Sequence, residues 1–173
     1  VTPGEYAQIV LACLRARIQD GPYPMPEDKI CLRFGQQVNP SVGTAEDECC
    51  TGLAWVRVAG IEPLADPTDP SQGNCVTPAR RLTLELGTAR CIPFGTTGAG
   101  PTCEQWTEAS LKMDSDQQAM EAAVCCAMEA FQSLPFEPRV VPGVYEPLGP
   151  DGNCLTGTMQ MTIDYDCGCA NVQ

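Results

Sequence analysis

The sequence contains no histidine. That removes the side chain most often used as a general base near neutral pH, and also the commonest metal ligand. Ser-His-Asp and Cys-His catalysis are impossible within the chain. Cations are scarce as well: 10 Lys and Arg stand against 22 Asp and Glu, a formal net charge of −12. Binding to phosphates needs clustered Lys and Arg, so this balance argues against nucleic acid as a bound partner. No apolar run approaches the roughly 20 residues of a membrane span, and no membrane partner is expected. The chain opens directly onto a helix signal, and no signal peptide is read in it. The C-x2-C spacing of structural zinc sites and of thioredoxin-like redox centres is also missing. No metal, cofactor or catalytic residue is expected. The glycine-rich "GTTGAG" of Gly95 to Gly100 has no lysine after it, so it is a flexible loop and not a phosphate cradle.

Against these absences stand twelve cysteines and a hydrophobic content of 43% in 173 residues. Small disulfide scaffolds lack a real core, and this chain has enough apolar residues to build one. The cysteines therefore supplement a core instead of replacing it. The closest pairs are the doublets Cys49–Cys50 and Cys125–Cys126 and the C-x-C of Cys167 and Cys169. Acidic clusters at Glu46, Asp47 and Glu48, and at Asp114 and Asp116, have no apolar frame that would raise a pKa. They read as a solvated loop and a solvated helix face.

Element signals are clear along most of the chain. Thr2, Pro3 and Glu5 form an N-cap, a first-turn proline and a capping-box partner. Tyr6, Ile9, Val10, Cys13 and Leu14 then follow helical spacing until Asp20-Gly21-Pro22. Cys13 on that buried stripe is either core filler or half of a disulfide. "KICLRFG" alternates Ile30, Leu32 and Phe34 against Cys31 and Arg33, the pattern of a half-buried strand. "GLAWVRVAGIEP" is apolar on both faces apart from Arg57, which predicts an interior strand. "RRLTLELGTARCI" turns Leu82, Leu84 and Leu86 one way and Thr83 and Glu85 the other. Thr102 and Gln105 open a long helix in which Trp106, Met113, Met120, Val124, Met128 and Phe131 recur at helical spacing. A hairpin closes the pattern, with Gly149-Pro150-Asp151-Gly152-Asn153 as its turn and Met159, Met161, Ile163 and Tyr165 on one face of the last strand.

The order is α-β-β-β-α-β-β, without a repeat or a composition break. We expect one α+β domain over residues 1–173, a mixed or antiparallel sheet packed against two helices, with long loops at about 39–51, 63–79 and 93–101. Adjacent cysteines seldom bond to one another. In a strand they point to opposite faces, and in a helix they diverge by about 100°. Each doublet can thus tie its element in two directions, or leave one thiol free. Cys49, Cys50, Cys75, Cys91, Cys103 and Cys154 sit at element edges and are the disulfide candidates, with connectivity unassigned.

The stretches "CCTGLAWVRVAGIEP", "LTLELGTARCIP", "PTCEQW" and "AVCCA", spanning roughly Cys49 to Ala127, resemble the neck and tail-end proteins of tailed phages of actinobacteria. The resemblance is strongest to the tail terminator. It implies an α+β fold, a hexameric ring that caps the tail tube where it joins the head, and no catalysis. It implies a virion location after assembly in the bacterial host cytoplasm. The partners would be further copies of the chain, the major tail-tube protein and the head-tail connector or stopper, with DNA only passing through the lumen. Two departures stand out: better-known terminators are not cysteine-rich, and the motifs also suit a head-tail stopper or adaptor. A secreted, disulfide-supported binding module is a further alternative, and a thiol enzyme or zinc protein is the weakest.

Overall fold

The computed structural model describes residues 1–35, 38, 51–64, 79–92, 100–135, 137–151 and 153–166. The loops expected at about 39–51, 63–79 and 93–101 fall outside the described residues except at their ends. So does the C-terminal tail with Cys167 and Cys169.

The element order is α1 (Pro3–Asp20), a short 3-10 turn (Glu27–Lys29), β1 (Ile30–Phe34), β2 (Leu53–Pro63), β3 (Ala79–Cys91), α2 (Cys103–Phe131), β4 (Arg139–Asp151) and β5 (Cys154–Asp166). This is the expected α+β fold. The strands form one sheet in the order β1-β2-β3-β5-β4. Only β1 runs parallel to its neighbour, so the sheet is mixed. Arg81 and Asp164 pair across 83 residues of sequence, which shows how far the fold gathers its parts. Both helices open with complete capping boxes, Thr2 with Glu5 and Thr102 with Gln105. Each box satisfies two backbone N–H groups that the first helical turn would otherwise leave unpaired.

Both helices pack on the same face of the sheet. Ala54, Val56 and Val58 of β2, Leu82, Leu84 and Leu86 of β3, and Met159, Met161, Ile163 and Tyr165 of β5 share one buried cluster with the inner stripes of α1 and α2. The period-2 pattern of β5 holds throughout: those four side chains are buried and Gln160 between them is exposed. Tyr6 of α1 lies edge-on to Phe131 of α2 and tilted against Tyr165, so three elements meet at aromatic rings.

The opposite face carries a smaller cluster of Val38, Leu53, Trp55, Ala89 and Cys154. Trp55 is fully buried there because its register partner is Gly87. A Cβ at Gly87 would overlap the indole ring, so only glycine lets the ring lie flat on the backbone of β3. Strand β1 departs from expectation. Ile30 is buried and Leu32 half-buried, but Phe34 is 63% exposed. Among the described strands β1 is at the edge, with a neighbour on one side, and its burial fades along its length.

Candidate functional site

The described residues that combine chemical interest with accessibility lie around α2, and its two flanks differ. The inner stripe of α2 runs through Ala109, Met113, Asp116, Met120, Ala123, Val124, Ala127 and Phe131. Asp116 is therefore not on a solvated face, as its acidic neighbours suggested. It is 2% exposed. Its carboxylate accepts two hydrogen bonds from Arg90 of β3, from Nε at 2.8 Å and from a terminal nitrogen at 2.7 Å. Arg90 also donates to the carbonyl of Tyr23 at 2.7 Å. Burial pushes the Asp116 carboxyl up, and the bidentate Arg90 beside it opposes that shift. A signal for this residue existed in the sequence: Asp116 is three residues after Met113 and four before Met120, which places it on the apolar stripe. Asp114, two residues away, is exposed as expected.

A second buried pair crosses β2 and β3 on the opposite face. Glu85 accepts from Arg57 Nε at 3.0 Å and from a terminal Arg57 nitrogen at 2.5 Å. Trp55 Nε1 donates to the same carboxylate at 3.1 Å, and Arg57 donates to the Gly35 carbonyl at 2.7 Å. Arg57 lies in the buried half of β2, and a buried charge requires a partner. Nearer the solvent, Arg81 grips Asp164 at 2.7 and 3.0 Å and holds that carboxyl below its usual range.

The cysteine doublet on α2 divides the same way. Cys126 is bonded to Cys13 of α1, across 113 residues of sequence. That assigns Cys13 as half of a disulfide, and the bond staples the two helices together. Cys125 is a free, exposed thiol. Of the edge candidates, Cys91 and Cys154 take paired register positions at one end of β3 and β5, and both are disulfide-bonded. Cys103 is instead a free, exposed thiol in the first turn of α2. The first turn of α2, from Cys103 to Trp106, has no fully buried residue, so this thiol lies at the surface. Cys49, Cys50 and Cys75 lie outside the described residues.

Cys125 opens onto a groove between α2 and strand β4. The groove has a cavity of about 600 Å³ floored by Val124, Tyr145 and Met159, with Met128, Pro142 and Val144 on its walls. A second cavity of about 320 Å³ continues it toward Trp106 and Leu148, and Gln117, Tyr145 and Pro147 belong to both. Here the sequence pattern misplaced two side chains. Trp106 and Met128 belong to the helical stripe by spacing, yet both are exposed and line this groove. Tyr145 lies flat over Gly157, where a Cβ would overlap the ring. Burial, reinforced by the negative charges of Asp116 and Asp114, pushes its phenol up to about 12. Acidic Asp114 and Glu121 rim the groove. Prolines at 142 and 147 remove two N–H groups from β4, the outer strand, which discourages a further strand from adding there.

Among the described residues, no three Cys, Asp or Glu side chains gather as a metal site. Among the same residues, no helix is long and apolar enough to cross a membrane. No family model matches the chain, and no curated protein matches it.

Proposed function

We propose that the protein is a structural virion component: a ring at the head-proximal end of a phage tail tube, ending tube polymerisation and joining the tail to the head connector. The motif resemblance gives the class. The observation that carries the reading is the division of α2 into a braced flank and an open one. Buried carboxylates, buried guanidinium groups and a helix-to-helix disulfide are spent on rigidity. The unburied apolar side chains Trp106, Met128, Val144 and Leu148 gather along one groove. A rigid block with one long apolar groove suits permanent association with another protein surface. The net charge of −12 suits a lumen through which DNA slides without binding.

The test is to incubate purified protein with the tail-tube protein and follow both by light scattering and electron microscopy. Rings, or caps on tube ends, are the expected result. A protein that stays monomeric and never joins a tube overturns the reading. A head-tail stopper or adaptor is the neighbouring alternative, distinguished by binding to the connector in preference to the tube. The Cys13–Cys126 bond favours one further reading, a secreted disulfide-supported binding module. That reading predicts a stable monomer and a signal peptide encoded upstream.

A further inference from the structure

We infer that the groove between α2 and β4 receives the opposite flank of a second copy of this chain, with Phe34 at the end of β1 entering beside Val144 and Met128. The inference rests on the ring reading and adds the contact that would build it.

Three observations converge on this pairing. First, the two flanks are the two ends of one sheet. Strands β1 and β4 are the outer strands of the order β1-β2-β3-β5-β4, so four strand spacings, about 19 Å, separate them. Neither flank can cover the other within one molecule. Second, both flanks leave apolar side chains in water. Phe34 is 63% exposed, and Val144 is 80% exposed on the wall of the groove. Third, their charges differ. Residues 1–35, which build α1 and β1, hold four acidic and four basic side chains. Residues 103–151, which build α2 and β4, hold nine acidic and two basic ones.

Charge decides between the two ways of covering the groove with a copy of the same chain. A two-fold contact would place groove against groove and acid against acid, setting Asp114 and Glu121 of each copy near those of the other. The α1–β1 flank carries no such excess, and the exposed side chain next to Phe34 is the cation Arg33. Other exposed aliphatic groups are poorer occupants: Ile61 adjoins the acidic Glu62. Strand addition on β4 is opposed by Pro142 and Pro147, so the contact forms through side chains in the groove. Unlike surfaces at opposite ends of one rigid body repeat head to tail, and such contacts close into rings when the rotation between copies allows.

Cys125 supplies a native reporter, since its free thiol lines the groove. In a background of Cys31→Ser and Cys103→Ser, Phe34→Cys should form an intermolecular disulfide with Cys125 on mild oxidation. It should appear as a ladder on a non-reducing gel and vanish when Cys125→Ser is added. Independently, Phe34→Asp and Val144→Asp should each raise the dissociation constant for self-association roughly tenfold or more, since each puts a charge into a buried apolar contact. Both sites are surface positions, so melting of the variants, measured at dilutions where the chain is monomeric, should match that of the parent chain. Rings that persist unchanged in both Asp variants, without the Phe34→Cys link, would overturn the contact and leave the ring reading standing. A link between two Cys125 thiols would mean a two-fold pairing and would also overturn it. A chain that stays monomeric both alone and with tube protein would overturn the contact and the ring reading together.

Discussion

Cys125 and Cys126 are neighbours on one helix and belong to different worlds. Cys126 faces α1 and is bonded to Cys13; Cys125 faces the groove over β4 and is free. The division extends along α2. On the inner side Asp116 is locked to Arg90 and Met120 is fully buried. On the outer side Trp106 and Met128 stand in water over a strand made almost wholly of exposed residues. One flank holds the fold together, and the other leaves apolar side chains exposed. The difference teaches that polar side chains on a helix are not uniformly solvent-facing: the same residue type, aspartate, is a buried clasp at 116 and a groove rim at 114.

The sharpest way to break the inner flank is Asp116→Ala. It leaves Arg90 buried without its counter-charge, and such a change costs about 3–5 kcal/mol. Chemical denaturation of the variant checks this, against Glu121→Ala on the groove rim, expected within about 0.5 kcal/mol of the parent. Equal losses at the two positions would erase the distinction between the flanks. Next in size is the staple. Cys13→Ala with Cys126→Ala, or reduction of that bond, should lower stability by about 2–4 kcal/mol. Melting with and without reductant reads it, provided the same treatment is applied to the double variant to separate this bond from the others.

Much of this division could be anticipated from residue order, and the part that could not has a physical cause. The helix boundaries followed from their capping boxes, and β5 from its strict alternation, because these are local signals. Phe34 departs from its alternation because that pattern describes a strand and says nothing of whether it sits at the edge of the sheet. Trp106 and Met128 shared a spacing with the buried stripe, but the width of the covering layer, set by how β4 lies, decides which of those side chains are reached. Asp116 was readable from its place on the stripe, though the pull of its charged neighbours hid it. Its partner Arg90, 26 residues away in sequence, was not readable at all, since pairing across elements depends on the register of β3 under α2. The Cys13–Cys126 bond, across 113 residues, depends on the same kind of pairing between elements.

The outer flank is sharpened by pH. The Tyr145 phenol is pushed up to about 12, against about 10 in an unfolded chain, so the folded state favours the neutral form. Its contribution to stability is complete below about pH 10 and is lost as pH rises toward 12. Titration by ultraviolet absorbance should therefore show a late tyrosine in the parent that is missing in Tyr145→Phe. Tyr6 is raised as well, by burial, and remains in that variant as an internal comparison. A Tyr145 titrating near 10 would mean that water reaches the groove floor freely.

The smallest effect belongs to Cys125 itself, and its smallness is the point. Cys125→Ser exchanges one small exposed group for another, with no bond broken, so stability should stay within about 0.5 kcal/mol of the parent. The neighbouring Cys126→Ser breaks the staple and strands the Cys13 thiol inside the core. Two adjacent, chemically identical substitutions should thus differ by several-fold in cost. Thiol labelling follows the same logic. Without reductant, a small alkylating reagent should modify Cys125 and leave Cys126 untouched until the staple is reduced, and peptide mass mapping tells the two apart. If copies of the chain cover the groove, labelling of Cys125 should slow as protein concentration rises, while Cys103, outside the groove, keeps its rate. A concentration-independent rate at both thiols would leave the outer flank bare.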